Sequence, residues 1–374
     1  MVRWLFGGLV FVLALAVVAL RVFYGGGEPY PDLSTEPRFG PDALERVVVS
    51  DRPIGNVAVS DTGRVFYTIH PESNPVGPKL YEWVDGAAEP WPSPDQDAFF
   101  AGPLGLVVDQ QGRLWVIDPA RHGSGEPRLI AFDLETGSVV SDHDFAREIA
   151  PLGSFLQDLQ IDGAGETIYI ADVGFMNRQS ALIVYDVKTQ TARRVLAGHA
   201  SVQPQPWLIQ TPSRTMSYFG GLVSLRPGVD GIALSRDGDW LYYAAMAHDT
   251  LYRLPTAALK DDDLAPSALE AAIEVVTEKP LNDGLSADDQ GNIYLTDVEH
   301  QGVMRITPEG VRETLIKDPR IRWADALSFG PEGWLYVADS ALPLVILKPQ
   351  SAISKAAPFH IYRFKPEATG YPGQ

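Results

Sequence analysis

The sequence predicts an all-β protein, a six-bladed β-propeller preceded by an N-terminal transmembrane anchor. Three observations carry this reading. One hairpin design occurs six times, each copy leaves room for two more strands, and the only continuous apolar run lies at the start.

The apolar run extends from Trp4 to Leu20, with Arg3 before it and Arg21, Val22, Phe23 and Tyr24 after it. A spanning helix needs about 20 apolar residues, a length reached here if Arg21 snorkels toward the headgroups. A cleaved signal peptide is the alternative, although Val18-Ala19-Leu20-Arg21 matches a small-residue cleavage site poorly. Arg3 stands before the run, while Glu28, Asp32 and Glu36 follow it, so the positive-inside rule places the body outside the cytoplasm. Residues 1–24 are therefore expected to hold the chain in the cell membrane by a single pass, with the body in the periplasm or extracellular space. Cleavage would make it a secreted protein. Residues 25–41, rich in Gly, Pro and acids, read as a linker, and 42–374 as the propeller.

Each repeat is an apolar strand, a polar turn ending in Gly, and a second strand carrying an aromatic. The turn glycines are Gly63, Gly112, Gly165, Gly238, Gly291 and Gly333, separated by 49, 53, 73, 53 and 42 residues. That spacing suits a four-stranded blade, and a glycine there supplies the positive φ of a tight hairpin. A two-sheet sandwich would not need six copies of one hairpin. Residues 44–49 and 359–364 read as strands from the two ends that pair in one blade and close the ring, leaving no exposed edge. Two connections, 70–100 and 198–228, are too long for simple turns and are functional candidates. Residues 260–276 read as a short helical insert.

Hydrophobic residues make up 45% of the 374, and there are 34 Gly and 30 Pro, consistent with a large core and many turns. The 30 basic and 48 acidic residues give a net charge of −18, which argues against nucleic acid as a partner. Cysteine is absent, excluding disulfides and thiolate metal sites. The seven histidines lack zinc-like spacing, and no serine-hydrolase elbow, phosphate loop or dinucleotide fingerprint is present.

Aligning the repeats places Gly55, Leu104, Gln157, Asp230, Asp283 and Asp325 at one position, the start of each innermost strand. In a propeller these converge at one mouth of the central channel. Three carboxylates there repel one another unless a proton or cation intervenes. An all-oxygen cluster suits a hard divalent cation, Ca²⁺ above all, and Asp158 replaces or joins Gln157. The competing reading is that these aspartates only accept backbone N–H bonds. A second set, Asp118, Asp172, Asp297 and Asp339, ends the aromatic strand and reads as structural. Arg121 and His122 follow Asp118 closely enough to reach a ligand. Trp207, Tyr218 and Phe219 of the long connection are expected to roof a pocket, and Trp323 joins Arg121 and these aromatics as a candidate ligand contact.

At residues 155–162 and 168–172 (FLQDLQID, IYIAD), 181–196, 231–243 (GIALSRDGDWLYY), 250–256, 282–297 (NDGLSADDQGNIYLTD), 318–340 and 359–364, the chain resembles the yellow/major royal jelly family. The resemblance runs over roughly residues 45 to 365 and includes the bacterial, dopachrome-tautomerase-related type. It implies a six-bladed propeller with a ligand pocket at the channel mouth, since family members include binders of small aromatic amines. A more distant similarity is to the gluconolactonase/senescence-marker propellers, which are metal-dependent lactonases. Asp283 matches their metal-binding Asp and Asp230 stands where they have Asn, but their Glu position is Gly55 here. The sequence therefore favours a binder of a small, aromatic-type molecule. The alternatives are a metal-dependent lactonase-like hydrolase or tautomerase, with Asp283 doubling as catalytic base, and a protein-interaction scaffold.

Overall fold

Alternating apolar residues and a glycine turn fold each repeat into an antiparallel hairpin, and two outer strands complete each sheet. The computed structural model describes residues 2–95 and 99–373, with side chains from Phe11 onward. All six turn glycines adopt φ between 71° and 84°, the left-handed region that suits glycine. Six four-stranded sheets result. Their inner strands are Ile54–Val59, Leu106–Val108, Leu156–Ile161, Val229–Leu234, Leu285–Ala287 and Ala324–Phe329. The last blade is built from both chain ends: Glu45–Ser50 pairs antiparallel with Phe359–Phe364. This is the expected closure, and it leaves no open edge. Apolar side chains fill the space between neighbouring blades, as in the cluster joining Val107, Trp115, Ile117, Leu159, Ile161 and Ile170 of blades 2 and 3.

The inner strands begin irregularly. The pairing register shifts between Ile54 and Val57, Leu156 and Leu159, Val229 and Ile232, and Ala324 and Ala326. An extra residue in one strand re-aims side chains, and the residues inside these four shifts include Asn56, Asp158, Asp230 and Asp325. The glycine after a channel aspartate has a packing reason. A Cβ on Gly231 would lie 2.4 Å from the Asp283 carbonyl oxygen, and one on Gly284 would lie 2.6 Å from that of Asp325. Each Asp-Gly thus lets the next blade approach at the channel wall.

The two ends of the channel differ. Past the last strand, the tail crosses the end that carries the hairpin turns. Asp289 N–H donates to the Thr369 carbonyl, Arg236 lies 3.8 Å over the Tyr371 ring, and Val108 N–H reaches the Gly373 carbonyl. The opposite end, where the inner strands begin, stays open beneath the long connections.

The N-terminal run is a helix, Val2–Tyr24, but the single-pass membrane anchor is not supported. Among the described residues no helix is long and apolar enough to cross a membrane. The apolar run from Trp4 to Leu20 is interrupted by Arg21, short of the ~20 apolar residues a span requires. Its last turn contacts the body instead. Arg21 Nη1 donates to the Gly221 carbonyl at 2.7 Å, and the Tyr24 hydroxyl to the Met176 carbonyl at 2.6 Å. The segment read as a linker also lies along the body, with Glu28–Pro29 pairing parallel to Trp207–Leu208 and Tyr30 buried. The insert after residue 255 forms two short helices, Thr256–Lys260 and Pro266–Ala271.

Candidate ligand pocket at the channel mouth

The repeat position places four carboxylates together at the open end. Asp158, Asp230, Asp283 and Asp325 lie close enough to raise one another's pKa, and Asp230, Asp283 and Asp325 are at most 2% exposed. Their surroundings differ sharply. Asp283 accepts from Gln157 Nε2 at 3.1 Å and from the indole N–H of Trp323 at 2.6 Å. Asp158 accepts from Asn56 Nδ2 at 3.0 Å. Asp325 Oδ2 faces His70 Nε2 at 3.5 Å, too far for a good hydrogen bond. Among the described residues no N–H or O–H donor reaches either oxygen of Asp230.

Burial is the largest cause of pKa change at all four, because charge is costly away from water. It takes Asp158 up to about 7 against the opposing Asn56 bond, and Asp283 up to about 8 against the Trp323 bond, with the Asp158 charge adding to the rise. Asp230 and Asp325 are pushed well above the usual carboxylate range by burial and then by the neighbouring carboxylates, Asp283 first. As carboxylates, Asp230 and Asp283 only repel; once one is protonated it can donate to the other. The cluster therefore holds protons at neutral pH, as paired carboxyls do.

Above Asp230 and Asp283 opens a cavity of about 460 Å³. Gln157, His70, Glu72 and His122 supply its other polar groups, and Phe155, Phe175, Met176, Tyr218, Phe219 and Met246 are among its mostly apolar walls. Leu20 and Tyr24 of the N-terminal helix complete the rim. The Tyr218 hydroxyl is buried without a hydrogen-bond partner, and Arg214 lies 4.7 Å over its ring.

The candidate contacts from sequence fall in different places. Tyr218 and Phe219 line the cavity. Trp323 is fully buried behind it and reaches the site through its bond to Asp283. Trp207 lies outside the cavity, edge-on to Tyr30 at 4.9 Å, with its indole N–H on Gln205. Arg121 lines a separate, larger groove of about 1100 Å³ that shares only Glu72, His122 and Phe155 with the first. His70 and Glu72 are site residues that the repeat alignment misses. They sit at the short helical turn Pro71–Ser73, in a connection with no blade register.

The outer aspartates are structural by geometry. Asp118 accepts from Ala101, Gly102 and Ala120 N–H, and Asp172 from Phe155 and Gly174 N–H and from Arg194. Asp339 accepts from Arg322 and Trp323 N–H and from the Arg322 guanidinium. They tie the segment leading into an inner strand to the second strand of its blade.

A cation fits the channel cluster in chemistry, since both oxygens of Asp230 and one of Asp325 lack donors among the described residues. The geometry fits less well. Both oxygens of Asp283 are already bonded, and among the described residues the one carboxylate and imidazole triad with ligand atoms within 4.8 Å of one another is Asp32, Asp297 and His300. At the lactonase-type Glu position, a Cβ on Gly55 would lie 2.6 Å from Leu104 Cδ1 and 3.2 Å from His70 Cα, so a side chain there requires Leu104 to shift.

Comparison with known proteins agrees with the fold. Major royal jelly protein 7 of Apis mellifera is 26% identical over 162 residues, 40% of this chain and 34% of that protein. Major royal jelly protein 1 of the same organism is 26% identical over 172 residues, 42% of this chain and 37% of that protein. The matched region thus spans about a third of the length of these curated relatives. Among solved structures, a gluconolactonase from Xanthomonas campestris superposes with a TM-score of 0.57 at 14% identity, covering 91% of this chain and 98% of that one. The calcium-binding protein regucalcin from Agrobacterium tumefaciens gives 0.55 at 16% identity, covering 87% and 95%. These identities establish the shared propeller fold alone. The family model for major royal jelly protein matches residues 102–315, more than half of the chain, and the chain belongs to that family.

Proposed function

We propose that the channel mouth binds a small, largely apolar molecule of aromatic type, whose polar end completes Asp230. The observation that carries this is the pair of partnerless Asp230 oxygens at the floor of a mostly apolar cavity. A buried polar group without a partner costs roughly 1–3 kcal/mol, so a ligand that supplies the bond gains what the free protein forgoes. The wall composition is that of a small-molecule site, mostly apolar with a few converging polar groups.

Two probes with the same phenyl body test this reading. 2-Phenylethylamine offers an ammonium to an ionised Asp230, and phenylacetone offers a carbonyl to a protonated one. Thermal shift with each, on the whole chain and on Asp230→Asn, should show stabilisation by at least one probe that the substitution reduces. A ligand at about 100 times its Kd adds about 2.7 kcal/mol. Absence of a shift with both probes contradicts the reading.

A second reading, a Ca²⁺ ion held by Asp230 and Asp325 with Asp158 or Asp283, is favoured by their partnerless oxygens. Such an ion would polarise a carbonyl and support lactone hydrolysis. Ca²⁺ should then raise the melting temperature, and Asp230→Asn should remove that rise. No effect of millimolar Ca²⁺ excludes it.

A further inference from the structure

The N-terminal helix ends among arginines that have no acid. Most arginines of this acidic chain lie against carboxylates, as Arg64 does on Glu82, Arg194 on Asp172 and Arg322 on Asp339. Arg21, Arg178 and Arg226 meet only backbone and an aromatic ring among the described residues. Arg21 Nη1 donates to the Gly221 carbonyl at 2.7 Å, and Arg226 Nη2 to the Gly25 carbonyl at 3.1 Å. The Arg178 guanidinium lies 5.9 Å over the Tyr24 ring.

The local sequence builds this convergence. Arg21 stands in the last helical turn, and Gly25, Gly26 and Gly27 follow the helix directly. A Cβ on Gly25 would lie 2.7 Å from both Arg21 Nη1 and the Gly221 carbonyl oxygen, so glycine there leaves room for the guanidinium between the two segments. Arg178 holds φ at 58°, with its N–H on the Gly174 carbonyl at 2.8 Å. That left-handed backbone is costly for a long side chain and persists where the surroundings impose it. Tyr24, which carries Arg178 on its ring, is fixed by its hydroxyl on the Met176 carbonyl. Tyr24 and Met176 also line the channel cavity, so the cations gather at the edge of the mouth.

Bonds to carbonyls satisfy donors but cancel no charge. Arg226 is 8% exposed, its Nε has no partner, and burial, then the charges of Arg178 and Arg21, hold its guanidinium below its usual range. Like charges gathered partly out of water destabilise one another. Each guanidinium also has more N–H donors than these bonds use. Arg21 is exposed and Arg178 half-buried, so an anion from solvent meets those two directly, with the charge of Arg226 beneath.

We propose that Arg21, Arg178 and Arg226 form a binding site for a phosphate group at the edge of the channel mouth. Phosphate suits them better than a carboxylate does. It brings up to about two negative charges and enough oxygens to take N–H pairs from more than one guanidinium, whereas a carboxylate is filled by one. The group arrives either as the free ion or on an ester whose body enters the neighbouring cavity. The site is separate from Asp230 and stands whether or not the channel floor takes a ligand.

Isothermal titration calorimetry of the full chain at low ionic strength, with inorganic phosphate and with naphthyl phosphate, tests this. At least one should bind. Arg178→Gln and Arg21→Gln should each weaken that binding about 10-fold, as loss of a charged donor does. Arg178→Lys, which keeps the charge but not the fork, should lose less. Arg236→Gln, at the opposite end of the channel beside Tyr371, should leave binding unchanged. An equal loss there would assign the effect to net charge and overturn the site. Circular dichroism should show each variant folded; if Arg21→Gln does not fold, Arg178→Gln, whose side chain gives up no hydrogen bond among the described residues, decides. Tighter binding of naphthyl phosphate assigns the group to an ester, and equal or weaker binding assigns it to the free ion. No heat with either anion at millimolar concentration, or binding that both glutamine variants leave unchanged, overturns the proposal.

Discussion

Two rings of aspartate, about one strand apart, behave in opposite ways. Asp118, Asp172 and Asp339 end the second strands and spend their oxygens on backbone N–H groups and arginines of the same blade. Asp158, Asp230, Asp283 and Asp325 begin the inner strands and cluster at the channel, where Asp230 lacks a donor for either oxygen among the described residues. Both rings repeat with the blades and both are buried, so neither repetition nor burial separates structure from function. Satisfaction does. Buried polar groups in folded proteins nearly always find partners, and a carboxylate left without one in a cavity marks a place where something else is meant to bind.

The comparison can be broken from the structural side first, where the effect is largest. Asp339→Ala removes the acceptor for Arg322 and Trp323 N–H and leaves the Arg322 guanidinium only the Ala356 and Pro358 carbonyls. Urea unfolding should report a loss of roughly 3–5 kcal/mol, the cost of breaking a buried pair. A loss below about 1 kcal/mol would mean the outer ring does not hold the blade.

Asp230→Asn should act in the opposite direction, adding roughly 1–3 kcal/mol at pH 7.5 in the absence of Ca²⁺ and ligand by removing a repelling, partnerless acid. The pH dependence follows from the sign of the shift. A carboxyl whose folded pKa is raised gives its full stability below its unfolded value, near 4, and loses it as pH rises through the folded value. Wild type should therefore lose stability as pH rises above about 4, and Asp230→Asn should flatten that slope. Asp283→Asn should gain less, because the new amide would point N–H at either Gln157 or Trp323.

The smallest effect belongs to Tyr218→Phe. Its hydroxyl has no partner to lose, so stability should change by less than about 0.5 kcal/mol. Binding of whichever phenyl probe stabilises the protein should weaken several-fold. Unchanged binding removes the hydroxyl from the ligand's contacts.

The fold and the four channel aspartates were legible because both follow the repeat. One alignment of glycine turns places Asp230, Asp283 and Asp325 at the same strand position, and Asp158 stands one residue further on, inside the register shift equivalent to the one that holds Asp230. Residues outside the repeat could not be read this way. His70 and Glu72 come from a turn in a proline-rich connection, and His122 depends on three left-handed residues that no propensity predicts. Trp207 looked like a roof from its place in a long loop, but it packs beside Tyr30, which the segment read as a linker delivers. The apolar N-terminal run was legible as a helix. That its last turn rests on the pocket rim depends on Arg21 and Tyr24 meeting carbonyls some 200 and 152 residues away.

The central claim is that burial keeps the channel carboxyls protonated at neutral pH, with Asp230 lacking a protein donor until a ligand supplies one. Carbon NMR of the whole chain labelled at aspartate Cγ, titrated from pH 4 to 9 without added divalent cation, measures this directly. The account predicts carboxyls titrating near 7 and 8, from Asp158 and Asp283, with the upper transition altered in Asp283→Asn. If every aspartate titrates below pH 5, the cluster is ionised at neutral pH and the claim is contradicted.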